Sequence, residues 1–183
     1  MREPMSIHEI VLPETKPETE WILGRPVQKV SPFRTHALLQ RDFSSRLGAW
    51  AANGGEVGTE WRFRIAPPGE IRRPLVPDVS YVSNEQLRAL DGYDLEVPPF
   101  APNVAVEILS PGWKRRNLEH KIGVYLAGGS ELVIVVAPKT RTVHLHDAKG
   151  ERILRADDAI EHAALPGFTL TLPALFAVLE RPR

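Results

Sequence analysis

Asn103-Val104-Ala105-Val106-Glu107-Ile108-Leu109-Ser110-Pro111-Gly112 reads as a strand with one acid where none is expected. From Val104 to Leu109 both faces of the pleat are apolar except at Glu107, the pattern of a strand inside a sheet rather than at its surface. Ser110-Pro111-Gly112 turns the chain into a helix bearing Leu118, Ile122, Tyr125 and Leu126 on one side and ended by Gly128-Gly129, and Leu132 to Ala137 is a second apolar strand. Strand, helix and strand in that order imply a right-handed parallel crossover, so the core belongs to the α/β (α+β) class. An ionised Glu107 inside it would cost roughly several kcal/mol unless compensated. The compensation is either an Arg or Lys partner, the exposed tip of the strand, or a cation.

Upstream, Leu75 to Val82 forms another strand, with Pro77 confining its entry to an edge or bulge and Asp78 standing where aspartate is disfavoured. Val57, Trp61, Phe63 and Ile65 alternate with Gly58, Glu60, Arg62 and Arg64, which reads as one half-buried strand. Leu39, Phe43, Leu47 and Trp50 mark an amphipathic helix starting at Ser31-Pro32 and closed by Asn53-Gly54-Gly55. Glu20 to Leu23 and Val27 to Val30 are two short strands around a turn, and residues 1–20 read as a loosely attached tail ahead of a single domain over 21–183. Downstream of Ser83 a short helix, Asn84 to Leu90, precedes a Pro-rich loop. Arg141–Asp147 and Glu151–Leu154 form a hairpin, and Leu175 to Leu179 closes the chain as a helix.

There are no cysteines among the 183 residues, which excludes disulfides, thiolate metal sites and a cysteine nucleophile; any metal must sit on oxygen or imidazole. Lys plus Arg equals Asp plus Glu at 23 each, so binding a polyanion requires a local patch or a homodimer that widens one. The N-terminus lacks the pattern of a signal peptide and no apolar run reaches spanning length, so the expectation is a cytoplasmic protein with no membrane partner. A Gly-x-Ser-x-Gly elbow, a P-loop, a dinucleotide fingerprint and a His-Glu-x-x-His pair are all missing.

Asp78 and Glu107, on neighbouring strands, can approach within the coordination radius of one Mg²⁺ or Mn²⁺ as hard oxygen ligands. Lys121 lies at the border of its helix's buried stripe, from which its amine either reaches inward or snorkels to solvent. Lys114, Arg115 and Arg116 crowd a helix start, where the macrodipole disfavours cations; they meet phosphates there or form a solvated charge run. Glu60 is a reserve ligand whose simpler role is a surface ion pair with Arg62 or Arg64. His36 shares the apolar side of its helix, as a packed or hydrogen-bonded histidine or one bordering a cleft. His144 and His146 alternate on one strand face; with no third ligand visible in the sequence, they read as solvent-facing. Trp113 either stacks on a base or packs at the helix start.

Several of these segments together resemble a known family. They are Gly24 to Val30 with Ser31-Pro32 and His36; Val76-Pro77-Asp78-Val79-Ser80-Tyr81-Val82; Val106-Glu107-Ile108-Leu109-Ser110-Pro111 leading through Arg116 to Lys121 and Tyr125; and Pro138-Lys139-Thr140-Arg141-Thr142-Val143. In this series, from about Trp21 to Phe176, the chain resembles the Uma two-type restriction endonucleases, a bacterial branch of the PD-(D/E)XK nuclease superfamily. The resemblance implies a restriction-endonuclease-like mixed β-sheet core flanked by helices, with an N-terminal β-hairpin and a C-terminal β-hairpin extension. It also implies a Mg²⁺- or Mn²⁺-dependent endonuclease hydrolysing phosphodiester bonds in DNA. By the same resemblance Asp78 and Glu107 hold the metal, the backbone carbonyl of Ile108 is a third ligand, and Lys121 assists the nucleophile. The superfamily's usual lysine position is Leu109 here, so the resemblance implies that the lysine role has moved to Lys121. Asn117 and Ala137 stand where the family often has aspartate. These departures leave an alternative: a catalytically impaired nuclease-fold module that binds nucleic acid or a protein partner.

Overall fold

The computed structural model describes residues 8–180. Two four-residue strands, β1 (Thr19–Ile22) and β2 (Arg25–Gln28), pair as an antiparallel hairpin. The two residues between them, Leu23 and Gly24, both have positive φ, as a tight two-residue hairpin turn requires. Helix α1 (Arg34–Ala51) buries His36, Leu39, Phe43, Leu47 and Ala51, a stripe at three- and four-residue spacing. Then come β3 (Gly55–Thr59), β4 (Phe63–Ile65), β5 (Arg73–Leu75) and β6 (Val79–Ser83). Two short helices, α2 (Asn84–Leu87), capped by the Ser83 hydroxyl, and α3 (Gly92–Glu96), lead to β7 (Val104–Ile108). Helix α4 (Arg115–Ala127) connects β7 to β8 (Leu132–Ala137). The hairpin β9 (Thr142–Asp147) and β10 (Gly150–Leu154) follows, then β11 (Ala159–Ile160), β12 (Leu170–Thr171), α5 (Leu172–Phe176) and a short 3₁₀ turn.

The central sheet is mixed and six-stranded, in the order β10-β9-β8-β7-β6-β3. Only β7 and β8 are parallel, joined by α4 as the sequence leads one to expect, and both are buried along nearly their whole length. Alternate residues of the sheet feed two separate cores. Val79, Tyr81, Val104, Val106, Ile108, Leu132 and Ile134 pack with α1 and α5 on one face. Val82, Ala105 and Val133 pack with Tyr125 and Val124 of α4, with Ile22 of β1, and with Phe63 and Leu75 of the small β4–β5 sheet on the other. Glu107 falls on this second face by the alternation of its strand.

Several expected boundaries are corrected. The segment read as one strand from Val57 to Ile65 is two, because Glu60 adopts a left-handed φ of 52° that ends the pairing of β3 and turns the chain into another sheet. Leu75 to Val82 is likewise split between β5 and β6, with Val76-Pro77-Asp78 as the crossing. Helix α1 starts at Arg34 rather than at Ser31-Pro32, with Phe33 at its cap and no side-chain capping bond. The expected tail is held over its described part. The amide of Ile10 donates to the Arg72 carbonyl, the amide of Arg72 donates to the His8 carbonyl, and Thr19 and Glu20 are buried in β1. Residues 1–7 of that expected tail lie outside the described residues.

Candidate active site

The antiparallel register of β6 and β7 pairs Val79 with Val106 and Ser80 with Ala105. Continued by one residue, that register sets Asp78 opposite Glu107, at the carboxyl end of the parallel β7–β8 pair, where open α/β sheets form their ligand crevices. The Asp78 amide donates to the Val106 carbonyl at 3.0 Å. Its carboxylate then reaches over the strand end to accept from the Ile108 amide at 2.6 Å. Both acids line one cleft of about 690 Å³, together with Glu20, Lys29, His36, Gln40, Glu60 and Lys121.

Each acid is held by a lysine. Lys121 of α4 places its ammonium 2.7 Å from Glu107 Oε1 and 2.8 Å from Glu20 Oε1. Lys29, just past β2, lies 2.7 Å from Asp78 Oδ1 and 2.8 Å from Glu60 Oε2, and donates also to the Val76 carbonyl. His36 Nε2 stands 3.1 Å from Asp78 Oδ2, and the Tyr125 hydroxyl donates to Glu107 Oε1 at 2.9 Å. Gln40 ties the two halves together by donating to Glu60 Oε1 and to the Asp78 carbonyl. Both contacts to the Glu107 carboxylate fall on Oε1, so the residue is fixed through one oxygen.

Charge is not balanced in this cluster. Four carboxylates, Glu20, Glu60, Asp78 and Glu107, face two ammoniums, Lys29 and Lys121, which leaves two negative charges in excess when histidine is not counted. The imbalance separates the two central acids. At Asp78 burial favours the neutral form, but Lys29 and the His36 hydrogen bond outweigh it and hold the carboxyl well below its ordinary range. At Glu107 burial dominates; Lys121 opposes it only in part, Asp78 and Glu20 add repulsion, and the carboxyl is pushed up to about 7. Burial alone would lower the two lysines, yet the surrounding carboxylates raise both above their ordinary value. With Glu107 ionised, the carboxylates offer hard oxygen donors short by two positive charges, which fits a hard divalent cation; with Glu107 protonated the shortfall is one.

A stability consequence follows for the metal-free protein. Folded Glu107 keeps its proton to about pH 7, whereas the unfolded chain releases it near 4.5, so its contribution is full below the lower value and declines as pH rises towards the upper one. Asp78, shifted the other way, loses its contribution only in acid below its ordinary 3.8 and adds no slope in that window. In chelator, the melting temperature is therefore expected to fall between pH 5 and pH 8, and Glu107→Gln is expected to flatten that fall. A slope unchanged in the variant would overturn the assignment.

Asp78, Glu107, Lys121, Tyr125, His36 and Glu60 thus converge. Glu60 corrects the expected surface pair with Arg62 or Arg64: its left-handed backbone turns it to Lys29, while Arg62 pairs with Glu18, and Arg64 with Glu9 and Asp94. Ile108 enters through its amide. Lys114, Arg115 and Arg116 are exposed at the start of α4, with Arg115 bonded to Glu119 at 2.7 Å and Lys114 on the cleft wall. Trp113 is exposed beside them. His144 and His146, expected to face solvent, are half-buried and stand apart from this cleft. Glu20 and Lys29 were not singled out in the sequence. The signal was faint: Glu20 shares the two-residue period of buried Ile22, an acid on an apolar face.

Comparison with known proteins agrees with this architecture. The model of the family described as "Putative restriction endonuclease" (Uma2) matches residues 8–173. Among solved structures, the chain is similar to a putative nuclease belonging to DUF820 from Anabaena variabilis ATCC 29413, with a TM-score of 0.82 and 23% identity, over 92% of this chain and 95% of that one. At that identity the likeness speaks for the fold. No curated protein matches the chain.

Proposed function

The chain belongs to the Uma2 family of putative restriction endonucleases, and from that membership we propose that it is a Mg²⁺- or Mn²⁺-dependent endonuclease that hydrolyses phosphodiester bonds in DNA. The observation that carries the metal dependence is the excess of carboxylates over ammoniums among Glu20, Glu60, Asp78, Glu107, Lys29 and Lys121, two negative charges once Glu107 is ionised, which one divalent cation would neutralise. Asp78 and Glu107 would hold it, with the Ile108 carbonyl as a third donor. When bound, such a cation lowers the pKa of a water and polarises the phosphate.

The protein's own groups supply the rest. Lys121, 2.7 Å from Glu107 and anchored on its other side by Glu20, is fixed where its ammonium orients the attacking oxygen and offsets developing charge. It thereby fills the role that Leu109, an uncharged side chain, cannot. Tyr125 holds Glu107 in one orientation, so that little reorganisation is needed at the moment of reaction. Lys114 on the cleft wall, and Arg115 and Arg116 exposed beside it at the start of α4, meet flanking phosphates and set the strand's position without reading bases. The same reading places the protein in the cytoplasm, alone or as a homodimer.

The test is an assay of plasmid and oligonucleotide DNA with Mg²⁺, with Mn²⁺ and with chelator, beside calorimetric titration of Mn²⁺. Cleavage with either ion and none in chelator is the expected result. Mn²⁺ binding without cleavage of any DNA, or no binding at all, would favour instead a nuclease-fold module that binds nucleic acid or a protein partner.

A further inference from the structure

The β9–β10 hairpin carries a second group of ligand-type side chains, outside the carboxylate cleft but in an adjoining cavity that shares His36 and the turn from Leu109 to Trp113 with it. His144 and His146 lie two residues apart on one face of β9, and Glu151 on β10 is directly across from His146. His144 Nδ1 is 2.6 Å from Glu151 Oε1 and His146 Nε2 is 3.8 Å from the same oxygen. One nitrogen from each ring and a Glu151 oxygen all fall within 4.8 Å of one another. The third ligand absent from the β9 sequence is thus supplied by the partner strand.

We propose that His144, His146 and Glu151 form a binding site for a Zn²⁺-class transition-metal dication, distinct from the carboxylate cleft. Tetrahedral coordination at bond lengths near 2.0–2.1 Å sets ligand atoms about 3.3 Å apart, and the observed 2.6 and 3.8 Å bracket that spacing, so small side-chain rotations complete it. The two imidazole rings are already near parallel, with centroids 6.4 Å apart. The Thr142 hydroxyl lies 3.3 Å from His144 Nε2, which fixes that ring with Nδ1 turned to Glu151, the kind of outer hydrogen bond that orients metal-binding histidines.

The surroundings distinguish this trio from an ordinary surface ion pair. On the other side of β9, Val135 and Val133 stand opposite His144 and His146, and Ile153 of β10 stands opposite His144. The three polar groups sit on the wall of a cavity of about 1280 Å³ that Leu118, Ile122 and Trp113 also line. The lining is mixed, with Arg115, Glu119, Lys139 and Arg141 beside these apolar side chains, and the trio is the part of it with metal-ligand chemistry. Two imidazoles and one carboxylate select Zn²⁺ over Mg²⁺, and three protein ligands leave a coordination position open to the cavity.

The test is titration of the untagged full chain with Zn²⁺, and with Co²⁺ as a spectroscopic probe. With excess Mg²⁺ present to occupy the carboxylate cleft, one Zn²⁺ per chain and visible Co²⁺ d–d bands are expected. His146→Ala and His144→Ala are each expected to weaken Zn²⁺ binding by at least about tenfold and to remove the bands. Glu151→Gln, at an exposed position that tolerates the change, is expected to do the same and decides the matter should a histidine variant fail to fold. Glu107→Gln, in the carboxylate cleft, is expected to leave Zn²⁺ binding at the hairpin intact. No binding by the wild type, equal binding by the hairpin variants, or loss of binding in Glu107→Gln would overturn the proposal, whatever the outcome of the cleavage assay.

Discussion

Glu107→Gln is expected to reduce divalent-dependent DNA cleavage by about a thousandfold or more while leaving the protein at least as stable as the wild type at pH 8. A cation's stabilisation of transition-state charge is worth several kcal/mol, and roughly 4 kcal/mol corresponds to that factor. Gln keeps the shape and accepts the Tyr125 and Lys121 hydrogen bonds, but removes a carboxylate that burial and its acidic neighbours already push up to about 7. Lys121 remains paired with Glu20. Asp78→Asn should lose as much activity yet behave oppositely in stability, because Asp78 is held ionised by Lys29 and accepts from the Ile108 amide and His36. Cleavage rates and melting temperatures of the two purified variants check both halves. Activity retained in either variant would remove that residue from the proposed site.

The second large effect is expected at Lys121→Met. Removing its ammonium leaves Glu20 and Glu107 buried without a cation in contact, and breaking such a pair costs roughly 3–5 kcal/mol. The rate of cleavage should fall by about a hundred- to a thousandfold, the range seen when one preorganised charge-stabilising group is lost. Mn²⁺ should restore part of the lost melting temperature, since it brings back positive charge, but not the rate. Lys29→Met, measured alongside, separates the two ammoniums. A larger rate loss at Lys29 than at Lys121 would transfer the nucleophile-orienting role to Lys29.

The residues legible in the sequence were those in conflict with their local setting. Glu107 interrupts a strand apolar on both faces, Asp78 follows Pro77 at the mouth of a β-branched strand, and Lys121 borders a buried stripe; each violates a short-range rule visible within a few positions. The β7–α4–β8 crossover was legible for the same reason, being long and strongly patterned. Glu20 and Lys29 were not, because four-residue strands carry too little periodicity and their contacts are remote: 56 residues separate Glu20 from Val76, and 49 separate Lys29 from Asp78. Glu60 was assigned to the wrong company because alternation presumes an unbroken strand, and a left-handed residue breaks it without leaving a mark such as glycine or proline. Glu151 escaped notice beside His144 and His146 because hairpin register, not sequence spacing, sets it opposite them.

The β1–β2 hairpin that delivers Glu20 and Lys29 has a bearing on how the chain is made. In chain order this small ribbon precedes β5, the strand it packs on, and Lys121 comes later still. Pairings of such long range are slow to close. The acidic centre can assemble only once α4 has followed the strands, so a chain stopped short of Lys121 lacks the ammonium that holds Glu20 and Glu107 together.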